Sequence, residues 1–137
     1  MKLSEQGAYL LIAREGKRTK AYLDTKGIPT IGVGHTGPEV HLGLVWTDEQ
    51  VTEAFKRDVR WAEDAVNSCR YPLSQNQFDA LVSFVFNIGA NAWNRSTIKK
   101  LVKLGNLKAA AEQFDRWKIP PEIIGRRMQE KKQFLTP

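Results

Sequence analysis

Residues 15–36 read E-G-K-R-T-K-A-Y-L-D-T-K-G-I-P-T-I-G-V-G-H-T, and the fold follows from them. Glu15 ends a stretch with helical spacing. Asp24 comes nine positions later, and Thr30 six beyond that. Residues 21–24 read as a short strand, 25–27 as a turn, and 28–34 as the return strand, with Pro29 at its start. Centring the hairpin on Gly27 sets Asp24 opposite Thr30 on one face. Two carboxyl groups in different surroundings are the minimum equipment for cleaving a glycosidic bond. One stays protonated to assist the leaving oxygen, and the other stays ionised to activate water or stabilise the cationic sugar.

The preceding segment indicates which carboxyl is the acid. Ser4 is an N-cap and Gly16 a helix-ending glycine. Ala8, Leu11, Ile12 and Glu15 fall on one helical face, so Glu15 continues the apolar stripe. Partial desolvation and the negative end of the helix dipole are both expected to favour its protonated form. A hydroxyl at Thr30 beside the Asp24 carboxylate can share one water with it, and that water is the expected nucleophile.

Downstream, Thr47 with Gln50 forms a capping box and opens a long amphipathic helix over about 48–69. Val51, Ala54, Phe55, Val59, Ala62 and Val66 lie on its apolar face. Ser74 with Gln77 is a second capping box. The helix it opens, through Phe78, Leu81, Phe84 and Ile88, is apolar nearly all round and reads as a buried centre. Asn87 interrupts that run. A buried amide needs partners, so it either pins a neighbour or faces a ligand. Ser96 reads as the cap of a short helix ending at Gly105. Asn106 caps the next helix, Ile119-Pro120-Pro121 breaks the chain, and a last helix follows Glu122.

The spacing Glu15-x8-Asp24-x5-Thr30 followed by I-G-V-G-H-T closely resembles the phage-type lysozymes, the T4-like endolysins of glycoside hydrolase family 24. Gln77-Phe78-Asp79-Ala80-Leu81, Phe86-Asn87-Ile88-Gly89, Arg95-Ser96-Thr97 and Gly125-Arg126-Arg127 with Glu130 extend the resemblance over nearly the whole chain. It implies an α+β lysozyme-like fold, mostly helical. The small hairpin lobe would span about 14–46 and the helical lobe about 74–137. The first helix would pack on that second lobe, the whole forming one domain. It implies a muramidase cutting the β-1,4 bond between N-acetylmuramic acid and N-acetylglucosamine, with inversion. Glu15 would be the general acid, and Asp24 with Thr30 would position water. His35 reads as a hydrogen-bonded structural residue, and His35, Phe86, Asn87 and Ser96 are the further candidates for substrate contact. The shortened 119–121 segment departs from relatives with a longer loop, which bears on substrate contacts there. The rivals are a lytic transglycosylase, which needs no positioned water, and a non-catalytic basic wall-binding module.

Composition bounds the rest. A chain of 137 residues suits one domain able to bury roughly two-thirds of its unfolded surface. Cys69 is the single cysteine, so no internal disulfide forms, and its helical spacing suggests a packed thiol. The two histidines lack ligand partners at metal spacing, so neither metal nor cofactor is expected. The net charge is +6 and is unevenly placed. Residues 1–94 hold 10 basic and 11 acidic side chains; residues 95–137 hold 11 basic and 4 acidic. A basic surface suits an anionic cell wall. The signatures of nucleic-acid readers are missing. No apolar leader or spanning segment is seen, so membrane insertion is not expected. By resemblance, a monomer accumulates in the host bacterial cytoplasm and reaches the wall through a holin-type pore.

Overall fold

The computed structural model describes residues 1–137. Eight α-helices and one two-stranded antiparallel sheet follow in the order α1, β1, β2, then α2 to α8. The chain divides into two compact units. One comprises Tyr9–Arg60, and the other Met1–Ala8 with Trp61–Pro137. The expected α+β fold, mostly helical with a small hairpin sheet, is what the chain adopts.

α1 spans Glu5–Glu15. Ser4 caps it as expected: its hydroxyl accepts from the Gly7 amide at 2.9 Å. Gly16 ends it at φ +81°, a conformation that costs glycine nothing and other residues strain.

In the Tyr9–Arg60 unit the strands are β1, Arg18–Leu23, and β2, Pro29–Gly32. β1 thus starts three residues before the expected position, and β2 is shorter than expected. Gly32, Val33 and Gly34 form a tight return in which Ile31 and His35 exchange both backbone bonds at 2.9 Å. Gly32 and Gly34 have φ near +67° and +66°, which allows that turn. Gly32 is also crowded, since a Cβ there would lie 3.3 Å from the Trp46 ring. Thr30 pairs with Tyr22, not with Asp24. The register differs because the loop is held by Asp24 itself, whose amide donates to the Ile28 carbonyl and whose carbonyl accepts from the Gly27 amide.

α2, Asp48–Asp58, opens with the expected capping box of Thr47 and Gln50. Its Val51, Ala54 and Phe55 are buried with Ile31, Val33 and Val40 of the same unit. The long helix expected over 48–69 is in fact two. It breaks at Val59, and α3, Arg60–Asn67, follows. Neither Gly nor Pro marks the break.

The other unit is built on α4, Gln75–Ile88, in which every residue from Phe78 to Val85 is buried. The Ser74–Gln77 capping box starts it. Asp79 is the one carboxylate inside that run. It accepts from the Ser4 amide at 3.1 Å, the Ser4 hydroxyl at 2.5 Å and Gln75 at 2.8 Å. Those bonds offset its desolvation. α8, Ile124–Leu135, packs along α4, and α5, Ala90–Arg95, adjoins it; α6, Thr97–Lys103, and α7, Leu107–Gln113, pair with each other, α6 meeting α5 and α7 meeting α8. Phe84 stands at the middle, edge-on to Trp93, Phe114 and Trp117 at 6.3, 5.3 and 5.4 Å between ring centres. Cys69, just beyond α3, is buried as expected of a packed thiol. No helix is long and apolar enough to cross a membrane.

Candidate active site

Glu15 is the last residue of α1, and the chain turns at Gly16 to enter β1 two residues later. The apolar stripe ahead of it is buried at Leu11, but Glu15 itself is exposed. The desolvation expected for its carboxyl is therefore not found. The stripe ends one turn earlier, because the helix stops where its flank meets solvent.

Asp24 follows β1 directly. Its Oδ1 accepts from the amides of Lys26 and Ile28, each at 2.8 Å. This is an Asx-type turn, in which a short carboxylate side chain folds back on its own backbone. It orients the carboxylate rigidly, and Oδ2 takes no part in these bonds.

Thr30, 3% exposed, lies in β2. Its hydroxyl donates to the Ile28 carbonyl at 2.8 Å. The hydroxyl proton is thereby committed to the backbone. Toward anything else, Thr30 Oγ1 presents lone pairs and acts as an acceptor.

His35 also belongs to this unit. Its Nδ1 meets Asp58 Oδ2 at 2.6 Å and its Nε2 meets Glu39 Oε1 at 2.7 Å. Its ring lies 5.3 Å from that of Trp46. Partial burial works against the imidazolium, but the hydrogen bonds to Glu39 and Asp58 and their negative charge outweigh it, and the pKa stands above its ordinary value. The bond to His35 in turn holds the Glu39 carboxyl below its ordinary range. Both ring nitrogens are engaged within the protein, in keeping with the structural reading of this histidine.

The remaining candidates lie in the other unit. Phe86, half-buried, stacks on Trp61 with ring centres 6.0 Å apart. Asn87 is exposed rather than buried, because α4 surfaces in its last turn. Its Oδ1 accepts from Arg127 at 2.5 Å. Arg127 is itself buried beside Glu130, which also receives Arg126 at 3.1 Å and the Ser83 hydroxyl at 2.5 Å. Ser96 is 4% exposed and caps α6, accepting from the Lys99 amide at 3.2 Å and donating to the Trp93 carbonyl at 2.7 Å. Capping is thus the role its contacts describe.

Reading the sequence missed the Ile28 peptide that links Asp24 to Thr30. The run D-T-K-G carried the signal, since an aspartate before such a turn commonly bonds backbone amides two positions on. The partners Asp58 for His35 and Arg127 for Asn87 are distant in sequence, and no local pattern marks them.

The Phage lysozyme family model matches residues 13–130. The chain is 45% identical to the endolysin of Salmonella phage P22, with 99% of each chain covered. It is 38% identical to the endolysin of Bacillus phage B103, where 99% of this chain spans 55% of that longer protein. The crystal structure of a P22 lysozyme mutant superposes with a TM-score of 0.93 at 44% identity, covering 99% of both chains. With a family match over most of its length and a relative of this identity along its whole length, the chain belongs to the phage lysozyme family.

Proposed function

We propose that this chain is an endolysin that hydrolyses the β-1,4 bond between N-acetylmuramic acid and N-acetylglucosamine in peptidoglycan. Glu15 protonates the leaving oxygen. Asp24 and Thr30 hold the attacking water. The observation that carries the reading is the hydrogen bonding around Ile28. Because the Thr30 proton goes to the Ile28 carbonyl, Thr30 Oγ1 and Asp24 Oδ2 are both acceptors. A water molecule has two O–H bonds to donate. Giving one to each acceptor leaves a lone pair free to attack the anomeric carbon, and the carboxylate takes the proton as attack proceeds. Such a water fits an inverting route, which requires the two carboxyls roughly 6.5–9.5 Å apart. Glu15, Asp24 and Thr30 all belong to the same compact unit, which supports their acting together.

His35 in this account is a structural tie rather than a substrate contact. Phe86 and the exposed Asn87 are the second unit's candidates for the sugar. The enzyme acts as a monomer, stays in the host cytoplasm until lysis, and is released through a holin-type pore.

Turbidity loss of permeabilised Gram-negative cells, with mass analysis of digested murein, tests the reading. The parent is expected to clear the suspension and yield products heavier by one water than the anhydro-sugars of a transglycosylase. Glu15→Gln is expected to abolish clearing while melting close to the parent. Anhydro products, or equal activity of Glu15→Gln, would overturn the assignment.

A further inference from the structure

The Tyr9–Arg60 unit carries a concave surface that the proposed chemistry does not use. Trp46, Thr47, Glu49, Gln50, Glu53 and Arg57 line a groove of about 350 Å³, within the range of small-ligand sites. Glu49, Gln50, Glu53 and Arg57 are all exposed on α2. They fall within a sector of about 100° at 3.6 residues per turn, so the groove follows the helix for about 12 Å. Trp46, two residues ahead of the helix, adds a flat apolar wall. That wall is fixed in place. A Cβ at Gly32 would lie 3.3 Å from the Trp46 ring, the His35 ring lies 5.3 Å from it, and the Trp46 amide donates to the Thr19 carbonyl at 2.8 Å. A side chain already held binds a ligand with little further loss of rotamer freedom.

The polar groups of the lining are of both kinds. Gln50 Oε1 accepts from the Thr47 amide at 2.8 Å, so Gln50 presents its NH₂ donors. Arg57 donates, whereas Glu49 and Glu53 accept. Glu53 meets Lys56 only at 3.9 Å, which leaves its carboxylate accessible. Two carboxylates stand against one guanidinium in this lining, a balance unsuited to phosphate or other anions. A sugar hydroxyl both donates and accepts, and so does an acetamido group. The C–H face of a pyranose ring is apolar, as is an indole face. An apolar plate beside mixed donors and acceptors, drawn out along two helical turns, matches that chemistry. A lone ammonium would need only the carboxylates.

We infer that this groove is a glycan-binding site apart from the catalytic hairpin, taking N-acetylated hexosamine rings of peptidoglycan, with one ring on Trp46 and the polar groups of the sugars on Gln50, Glu53 and Arg57. It stands apart because Trp46 joins β1 at Thr19, five residues and about 16 Å of strand from Asp24. An enzyme working on an insoluble polymer gains from a second hold on it. Each encounter of the catalytic residues with a new bond then takes place from a bound state, at raised effective concentration. The inference rests on peptidoglycan being the substrate, as proposed above.

Nitrogen-15 NMR of the full chain, titrated with the neutral tetramer of N-acetylglucosamine, tests it. The Trp46 indole N–H and the amides of residues 49–57 are expected to shift together and to saturate in about the millimolar range. Glu53→Ala with Arg57→Ala removes one charge of each sign, so the net charge stays +6. Both side chains are exposed, and this variant should keep the parent's thermal melt. It should weaken the Trp46 response by about fivefold or more. Pelleting with intact murein sacculi should weaken likewise, with Glu15→Gln added to both chains so that the murein is not consumed. On short soluble murein fragments its rate should match the parent, whereas on sacculi its KM should rise with kcat unchanged. Trp46 and α2 signals that stay unmoved would overturn the inference. So would an equal response to free diaminopimelate, or parent-like sacculus binding by the variant. Murein cleavage without a Trp46 shift would remove this site alone. A saturable Trp46 shift in a chain that cleaves no murein would support the site and count against the cleavage reading.

Discussion

Asp24 and Thr30 are tied to one peptide unit: the Asp24 carboxylate accepts the Ile28 amide, and the Thr30 hydroxyl donates to the Ile28 carbonyl, each at 2.8 Å. The two side chains do not bond each other, yet neither can turn without straining the same loop. The Ile28 peptide thus helps to set their spacing.

That tie separates two kinds of variant. Asp24→Asn removes the carboxylate that takes a proton from water, and activity is expected to fall by about 10²- to 10⁴-fold, as for other general bases. Thr30→Val removes an acceptor and the bond to Ile28, and should lower both activity and melting temperature. Thr30→Ser keeps the oxygen and should retain more activity than Thr30→Val. Rates on purified murein, read beside thermal melts, check the ranking. A Thr30→Val enzyme as active as the parent would show that the hydroxyl does not hold the water.

The His35 clasp predicts how stability depends on pH. The folded pKa of His35 is raised from 6.5, so its contribution is complete below that value and is lost as pH rises through the folded pKa. Glu39 behaves in the opposite sense. Its folded pKa is lowered from 4.5, so its contribution is complete above that value and is lost as pH falls through the folded pKa. The clasp is therefore strongest between the two ordinary values. Melts of the parent and of His35→Ala across the pH range should differ most near pH 5.5 and less at pH 9. A gap that stays constant would assign His35 a packing role without ionic coupling.

Burial of Glu130 with Arg127 makes that pair sensitive to removal of one partner. Glu130 is 0% and Arg127 1% exposed. Glu130→Ala would leave a buried guanidinium without its carboxylate, at a cost of about 3–5 kcal/mol in unfolding free energy. The same change also removes the carboxylate that accepts from the Ser83 hydroxyl and from Arg126 Nε. Urea denaturation of the variant measures it. A loss under about 1 kcal/mol, the range of surface pairs, would show that water reaches the pair.

What could be read without coordinates was local. Thr47 with Gln50 and Ser74 with Gln77 announce helix starts because a cap and its reciprocal residue sit three apart. The tight return at Gly32 and Gly34 falls inside the stretch that reads as return strand, because glycine spacing alone does not fix a positive φ. The break at Val59 carries no sequence mark, since neither glycine nor proline stands there and the apolar spacing runs on through it. α5 has six residues, too few to show a helical period in the sequence. The exposure of Glu15 and Asn87 depends on where a helix surfaces, which periodicity alone does not locate. The catalytic candidates were legible by spacing and resemblance, but the way they are held, through Ile28, was not.

The account turns on a water attacking from the side opposite the departing oxygen. Proton NMR of murein fragments during the first moments of digestion, before mutarotation, tests it most directly. An initial excess of the α-anomer at new reducing ends is the predicted result, since displacement by the water held between Asp24 and Thr30 inverts the β linkage. An initial excess of the β-anomer would contradict it, and would make Asp24 a nucleophile or a cation stabiliser instead of a base.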